Sequence, residues 1–138
     1  MTRIVQRVAG TYAVARLAPT VGWPWWATRS TAFASVTRTV AETSVVCEAS
    51  LVPAGERAER DFSLWMVQGP IPFDAVGVLA SIVQPLAAAS ISIFSVSTFD
   101  TDYLLVPCAE VDRAIAAWRA AGHDVHDAPT VIPDKRTE

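Results

Sequence analysis

Charged residues are scarce in this chain of 138 residues, and lysine is almost absent. Charged side chains make up 18% of the sequence, eleven basic against fourteen acidic, and Lys135 is the only lysine. With a formal net charge of −3, the chain lacks the basic surface that nucleic-acid binding requires. Hydrophobic residues reach 51%, which excludes intrinsic disorder and predicts a folded core, with apolar surface left over for a partner.

Cysteine and histidine, two common metal-ligating residues, are also few. Cys47 and Cys108 stand alone, without a CxxC pair or a Cys/His cluster, so we expect buried thiols in a reducing compartment. His123 and His126 share a predicted strand but would point to opposite faces. We therefore expect solvated strand residues and no metal site, and the sequence indicates neither a cofactor nor a Ser-His catalytic pair.

Long uninterrupted hydrophobic runs and targeting segments are missing as well. The longest apolar stretch, residues 76–96, has the length of a membrane span, but Gln84, Pro85 and several serines interrupt it. Its changing period predicts a helix, a turn and a strand. Since the first residues carry no secretory apolar core, the sequence predicts a cytoplasmic protein without a membrane partner.

The first half of the chain predicts a small β-rich unit. Alternation over residues 11–17 predicts a strand, and residues 33–38 and 44–48 predict an antiparallel hairpin. Between them, residues 21–28 carry three tryptophans around a proline, which we expect to form a bend packed over a sheet face. The charged residues 53–61 are the predicted linker to the second half.

The second half predicts the order β-α-β-β-α-β, the ferredoxin-like α+β plan, with helices packed on a four-stranded antiparallel sheet. The predicted elements are strand 62–68, helix 75–89, strand 91–98, strand 103–106, helix 110–121 and strand 123–127. The apolar stripes are Val76, Leu79, Val83 and Leu86 on the first helix and Val111, Ala114, Ile115, Trp118 and Ala121 on the second. Pro85 predicts a kink or an early end, and Gly122 suits the position after the second helix.

Several segments of the sequence resemble ACT-domain proteins. They are residues 69–81 (GPIPFDAVGVLAS), 91–106 (ISIFSVSTFDTDYLLV), 10–17 (GTYAVARL), 35–39 (SVTRT) and 42–47 (ETSVVC). The resemblance covers residues 8–126 and is closest to small bacterial tandem ACT-domain proteins related to the CASTOR arginine sensors and to aspartokinase regulatory ACT domains. It implies an abbreviated N-terminal ACT-like unit in residues 1–60 and a complete ACT unit in residues 61–128. The polar composition of residues 129–138 predicts a tail.

What this resemblance implies is a non-catalytic sensor. ACT domains of this kind bind small effectors, usually amino acids, at interfaces between ACT units, so we expect a homodimer that regulates an unidentified protein. The implied contacts lie before the first helix and at the end of the strand that follows it. The candidate ligand-binding residues are Pro72, Phe73, Asp74, Ala75, Val76, Gly77, Val78, Ser97, Thr98, Phe99, Asp100 and Thr101.

These residue types suit a free amino acid, a zwitterion whose two charges both need partners when buried. Unpaired N–H groups at the start of the first helix can hold the carboxylate, while Asp74, Asp100 and Asp102 can meet the ammonium group. Other interpretations stay open. Asp74 can cap the helix, the other two aspartates can stabilise their turn, and Phe73 and Phe99 can belong to a core or an interface. The alternative functions are a protein-interaction module without a ligand and a small ferredoxin-like enzyme.

Overall fold

The computed structural model describes residues 2–130, which divide into two compact units. The smaller unit is Gly10–Phe62, and the larger unit combines the chain up to Ala9 with the chain from Ser63 onward. The strands are β1 (Ile4–Leu17), β2 (Ser35–Arg38), β3 (Thr43–Glu48), β4 (Ala58–Val67), β5 (Phe94–Ser97), β6 (Asp102–Pro107) and β7 (Asp124–Thr130). The helices are α1 (Val78–Ala88), α2 (Val111–Ala120) and the 3-10 helices Trp25–Arg29, Ala49–Leu51 and Cys108–Glu110. The domain limits after residues 60 and 128 stay predictions.

In the smaller unit, β3 pairs antiparallel with β1 on one side and with β2 on the other. The register sets Val36 opposite Val45, which confirms the predicted hairpin. The core consists of Ala13, Ala15, Leu17, Ala27, Val45, Cys47 and Val52. Burial, followed by the charge of Glu48, raises the pKa of the Cys47 thiol to about 11. The thiol is therefore protonated and unreactive at neutral pH.

The tryptophan-rich segment bends as predicted but does not pack as predicted. Within the 3-10 helix Trp25–Arg29, only Ala27 is buried, and Trp26 packs against the core from a half-buried position. Trp23 and Trp25 are exposed, and their rings meet edge to face with centroids 6.2 Å apart. A single short 3-10 turn can point only a minority of its side chains at one surface, which explains why the tryptophans do not all pack.

The larger unit confirms the ferredoxin-like order as β4-α1-β5-β6-α2-β7, but the prediction of a four-stranded antiparallel sheet is wrong. The start of β1 joins this sheet, pairs in parallel with β7 and neighbours β4. Val5 and Val8 bury their side chains there. A register irregularity between Gln6 and Val8 breaks the strict alternation that normally reveals a strand in a sequence.

Helix α2 follows its predicted pattern. Its stripe of Val111, Ala114, Ile115 and Trp118 is buried, and only Ala121 lies exposed beyond the end of the helix. Gly122, with φ at +92°, donates its N–H to the Arg119 carbonyl at 3.0 Å, and the His123 N–H donates to the Trp118 carbonyl at 3.0 Å. These two bonds form a Schellman closure, which confirms the position predicted for Gly122.

Helix α1 departs from its predicted pattern. It begins at Val78 after Gly77, whose φ of +82° is left-handed, so the predicted start at residue 75 is wrong. Val76 lies outside the helix and is exposed, because the left-handed glycine reverses the chain before the first turn. The buried stripe is Val78, Ile82 and Leu86, of which only Leu86 was predicted. The helix continues past Pro85 to Ala88, so the proline does not end it.

The remaining predictions concern single features. No helix within residues 2–130 is long and apolar enough to cross a membrane. The prediction of a buried thiol is right for Cys47 and wrong for Cys108, which is exposed where a 3-10 helix follows β6. Pro129 and Thr130, assigned to the polar tail, belong to β7, and the rest of that predicted tail lies outside the described residues.

Candidate functional site

A groove of about 370 Å³ lies in the larger unit, between the chain that leads into α1 and the turn that joins β5 to β6. Its lining residues are Ile71, Pro72, Phe73, Ala75, Gly77, Val78, Leu79, Ala80, Ser97, Thr98, Phe99, Asp100, Thr101 and Asp102. The groove is therefore built from two segments that are separated in sequence by most of α1 and by β5.

Two hydrogen bonds, one of them from a side-chain hydroxyl to β4, and a close approach hold the two segments in place. The Ile71 N–H donates to the Asp100 carbonyl at 2.7 Å, and the Thr101 hydroxyl donates to the Val67 carbonyl. A Cβ atom on Gly69 would lie 3.0 Å from the Asp100 carbonyl oxygen, so a side chain there would push the segments apart. Glycine at this position permits the close approach that shapes the groove.

The first turn of α1 forms one polar end of the groove. Val78, Leu79 and Ala80 line the groove, and no side chain caps the helix, because its N-cap residue is Gly77. The first N–H groups of a helix have no partner within the helix and carry its positive dipole end. The prediction that Asp74 caps this helix is wrong, because Asp74 lies three positions before the N-cap residue, Gly77. This end of the groove suits an anionic group.

The turn between β5 and β6 forms the acidic end of the groove. The hydroxyl groups in and beside this turn already form hydrogen bonds within the protein. Ser97 Oγ donates to Asp102 Oδ1 at 2.6 Å, and Thr98 Oγ1 donates to the Thr101 carbonyl at 3.1 Å. The buried Thr101 hydroxyl is committed to β4. Within residues 2–130, no hydrogen bond or ion pair engages the carboxylate of Asp100. Asp100 is therefore the anionic group in the groove that is available to a ligand.

The charge of Asp100 affects the pKa of a tyrosine on the neighbouring strand, β6. Burial in β6, with the charge of Asp100 as the second cause, raises the pKa of the Tyr103 hydroxyl above its usual value. Tyr103 is therefore neutral at physiological pH, and the acidic end of the groove gains no additional negative charge from the phenol.

The rim of the groove is aromatic and exposed. Phe73 is 80% exposed and Phe99 is 79% exposed, yet their rings meet with centroids 5.1 Å apart and planes inclined at 56°. Val76, on the same loop as Phe73, is 86% exposed. Exposed apolar groups beside a groove commonly mark a contact surface for a ligand or a protein.

The structure brings together all of the predicted site residues except Asp74 and Val76, which are exposed and do not line the groove. It adds Ile71, Leu79, Ala80 and Asp102 to the lining. The left-handed Gly77 accounts for both differences, because it shifts the helix start and points the first turn at the groove. A glycine directly before a periodic apolar run was the available sequence signal.

The two histidines do not form a site together. His123 is buried, which contradicts the predicted solvated position, because it lies where α2 ends against the rest of the unit. His126 is exposed, and its Nε2 lies 3.1 Å from Asp124 Oδ2. Residues 2–130 contain no group of three or more His, Cys, Asp or Glu side chains able to hold a metal ion.

Known proteins resemble both halves of the chain. A family model for the ACT domain matches residues 57–119, and a family model for an N-terminal domain matches residues 10–55. A solved structure of a protein from Agobacterium tumefaciens is 33% identical, and the alignment covers 97% of this chain and 99% of that one with a TM-score of 0.88.

Two further similar proteins have names that refer to sensing or regulation. The human protein called cytosolic arginine sensor for mTORC1 subunit 1 is 53% identical over 38 residues, which are 28% of this chain and 12% of the sensor. The regulatory subunit of aspartate kinase from Thermus thermophilus shares the fold, with 11% identity, a TM-score of 0.61 and coverage of 86% of this chain and 97% of that one. The family-model match shows that residues 57–119 of this chain belong to the ACT-domain family, and the similarity to the Agobacterium protein extends over both halves of the chain.

Proposed function

We propose that this chain is a non-catalytic regulatory module that binds a free amino acid in the groove beside α1. The observation that carries the proposal is that an uncapped helix N-terminus and the carboxylate of Asp100, which no side chain among residues 2–130 engages, lie in the same groove of about 370 Å³. Helix α1 contains no charged residue, so nothing within the helix neutralises its dipole. The two ends of the groove match the carboxylate and the ammonium group of a zwitterion.

The relatives support a regulatory role. One is an arginine sensor and another is the regulatory subunit of an aspartate kinase. A module of this kind acts by binding its ligand more tightly in one conformation or assembly than in another, and it thereby shifts their populations. In this proposal the ligand changes how the module associates with the protein that it regulates.

Thermal melting against each of the twenty amino acids at millimolar concentration tests the proposal. A ligand present at ~100 times its Kd stabilises the folded chain by about 2.7 kcal/mol. At this chain length, that free energy raises the Tm by several degrees. A folded protein whose Tm responds to none of the amino acids would contradict the proposal.

A matched pair of variants assigns the response to the groove. We expect Asp100→Asn to weaken binding about tenfold or more, because the ammonium group loses its charged partner. Asp112→Asn removes the same charge from an exposed position on α2, outside the groove, and should leave the affinity unchanged. Equal affinities for the two variants would remove Asp100 from the site.

We also propose that a second copy of this chain covers the rim formed by Phe73, Val76 and Phe99. This apolar rim is continuous with the groove, so a partner seated on it would close the groove over a ligand. The dimer predicted from the sequence would then contain the ligand at its interface.

Sedimentation at tens of micromolar protein tests the dimer. Phe73→Ser should shift the wild-type dimer to monomer, whereas Val40→Ser, at a fully exposed position of the smaller unit, should not. A wild-type monomer would contradict the dimer. A dimer that depends on Phe73 in a protein that binds no amino acid would instead identify an interaction module, the second candidate function.

A further inference from the structure

Pro85 leaves one carbonyl of α1 without its helical donor. A proline inside a helix has no N–H, so the carbonyl four residues earlier, that of Ser81, receives no bond from position 85. Backbone carbonyls inside a packed unit nearly always have another partner. Here the partner is His123, whose Nε2 lies 2.9 Å from the Ser81 carbonyl oxygen.

The second ring nitrogen of His123 determines which tautomer makes this contact. His123 is only 5% exposed, and the backbone N–H of Arg3 donates to its Nδ1 at 3.1 Å. A nitrogen that accepts a hydrogen bond carries no proton, so the ring proton lies on Nε2 and points at Ser81. Both bonds form together only when the imidazole is neutral and protonated on Nε2.

The backbone on both sides of the ring is also anchored. The His123 N–H donates to the Trp118 carbonyl at the end of α2, and the Asp124 N–H donates to the Arg3 carbonyl at 2.9 Å. His123 thus joins the end of α2, the middle of α1 and the residue before β1. Ser81, which its ring contacts, directly follows Ala80 in the wall of the groove.

We propose that His123 is a positioning residue for the groove. Its Nε2–H replaces the donor that Pro85 removes from α1 and holds the first turns of that helix against the end of α2 and the start of β1. The pair of Pro85 and His123 is therefore a compensated unit, in which the imidazole supplies the hydrogen bond that the proline cannot donate. Only the ligand measurement below rests on the proposed function.

The tautomer is the first test and needs no substitution. Nitrogen-15 NMR of the imidazole rings at neutral pH should show His123 neutral, with its proton on Nε2. An Nε2 without a proton would overturn the proposal directly. Because this measurement uses the wild-type chain, it decides the question even where a variant fails to fold.

A double-mutant cycle between His123→Ala and Pro85→Ala is the second test. In the wild-type background, His123→Ala should raise the unfolding equilibrium constant by about tenfold or more, because the Ser81 carbonyl loses its donor. In the Pro85→Ala background, the new backbone N–H can bond to Ser81, so the increase should be clearly smaller. The cavity left by the missing ring is common to both backgrounds and cancels. Equal increases would contradict the compensation.

Two controls make the cycle specific. Val125→Ala truncates a buried side chain of β7 without removing a donor, and it should have the same effect in the wild-type and the Pro85→Ala backgrounds. His123→Gln keeps a donor and an acceptor, whereas His123→Leu keeps bulk alone. We expect the glutamine variant to retain more of the wild-type stability than the leucine variant, and the reverse order would argue for simple packing.

The positioning role has its own measurement. Ser81 donates its N–H to the Gly77 carbonyl, which is the first bond within α1, so the amide exchange rate of Ser81 reports on the first turn. His123→Leu should accelerate this exchange about tenfold, and adding Pro85→Ala should restore it. Unchanged exchange in His123→Leu would remove the positioning role. If an amino acid binds, its affinity should fall in His123→Leu and recover when Pro85→Ala is added. If no amino acid binds, the amide exchange of Ser81 alone tests the positioning role.

Discussion

The two helices of the larger unit are nearly equal in length, at eleven residues for α1 and ten for α2, but they are stabilised in different ways. Helix α2 carries Asp112 in its first turn and Arg119 in its last turn, which complement its dipole, and Gly122 closes it. Helix α1 has no charged residue, begins after a left-handed glycine and contains a proline. The local signals of α2 agree with its fold, whereas those of α1 conflict with a stable isolated helix.

The residues of α1 that disfavour an isolated helix lie at the groove or act on the turns beside it. Gly77 leaves the helix N-terminus open at the groove, and Pro85 is tolerated because His123 supplies the missing donor. Local rules are most often broken at functional sites, where the surrounding structure supplies the compensation. The difference between the helices therefore indicates that α2 supports the unit, while the first turn of α1 lines the candidate site.

The largest expected effect comes from Trp118, through which α2 supports α1. Its Nε1–H donates to the Ile82 carbonyl at 2.9 Å, and its ring meets that of Trp65 at a centroid distance of 5.2 Å. Trp118→Ala should lower the free energy of unfolding by about 3–5 kcal/mol, as truncation of a buried tryptophan does. Urea denaturation measures this free energy of unfolding. Trp25→Ala, at an exposed position, should change the free energy of unfolding by about 0.5 kcal/mol or less. Equal losses for Trp118→Ala and Trp25→Ala would contradict the supporting role of Trp118.

A pair of glycine substitutions separates stability from binding. Gly77 and Gly122 both have left-handed φ values, and no atom blocks a Cβ at either position. Each change to alanine should cost about 1–2 kcal/mol of backbone strain, measured by denaturation. Only Gly77→Ala should also reduce the thermal shift produced by the bound amino acid, because only Gly77 opens the groove. A loss of binding in Gly122→Ala would remove the distinction between the helices.

The smallest expected effect concerns Arg113, which joins the two helices at the surface. Its guanidinium pairs with Glu110 on the same turn and donates to the carbonyl of Ala89 at the end of α1. Arg113→Ala should lower the free energy of unfolding by about 1 kcal/mol, chiefly through the bond to Ala89. Glu110→Gln removes only the exposed ion pair and should cost about 0.5 kcal/mol or less. A larger effect of Glu110→Gln would show that the ion pair matters more than the contact with α1.

Much of the fold could be predicted because its signals are local. The stripe of α2, the closure at Gly122 and the hairpin of β2 and β3 all follow from spacing and turn chemistry within a few residues. The two segments that line the groove were also found, since Pro72 to Val78 and Ser97 to Thr101 carry the family resemblance. The resemblance did not indicate that Asp74 and Val76 are exposed and do not line the groove, because that depends on the φ of a single glycine.

Three features could not be predicted from local patterns. The strand at residues 4–8 has a broken alternation, and its place beside β7 depends on a segment at the other end of the chain. The continuation of α1 through Pro85 depends on a histidine that lies between α2 and β7. The exposure of Trp23 and Trp25 depends on how many side chains a 3-10 turn can bury, which composition does not indicate.

The sequence by itself therefore determined the α+β plan, the order of the elements in the larger unit and the two segments that meet at the groove. These properties depend on periodicity, turn residues and family motifs, which are all written within short stretches of chain. Only the tertiary structure decided where α1 begins, which side chain contacts the carbonyl that Pro85 leaves without a helical donor, and which carboxylate of the groove has no partner among residues 2–130. Those outcomes depend on hydrogen bonds between residues far apart in sequence, such as Arg3 and His123, separated by 120 positions, and such bonds exist only once the chain has folded.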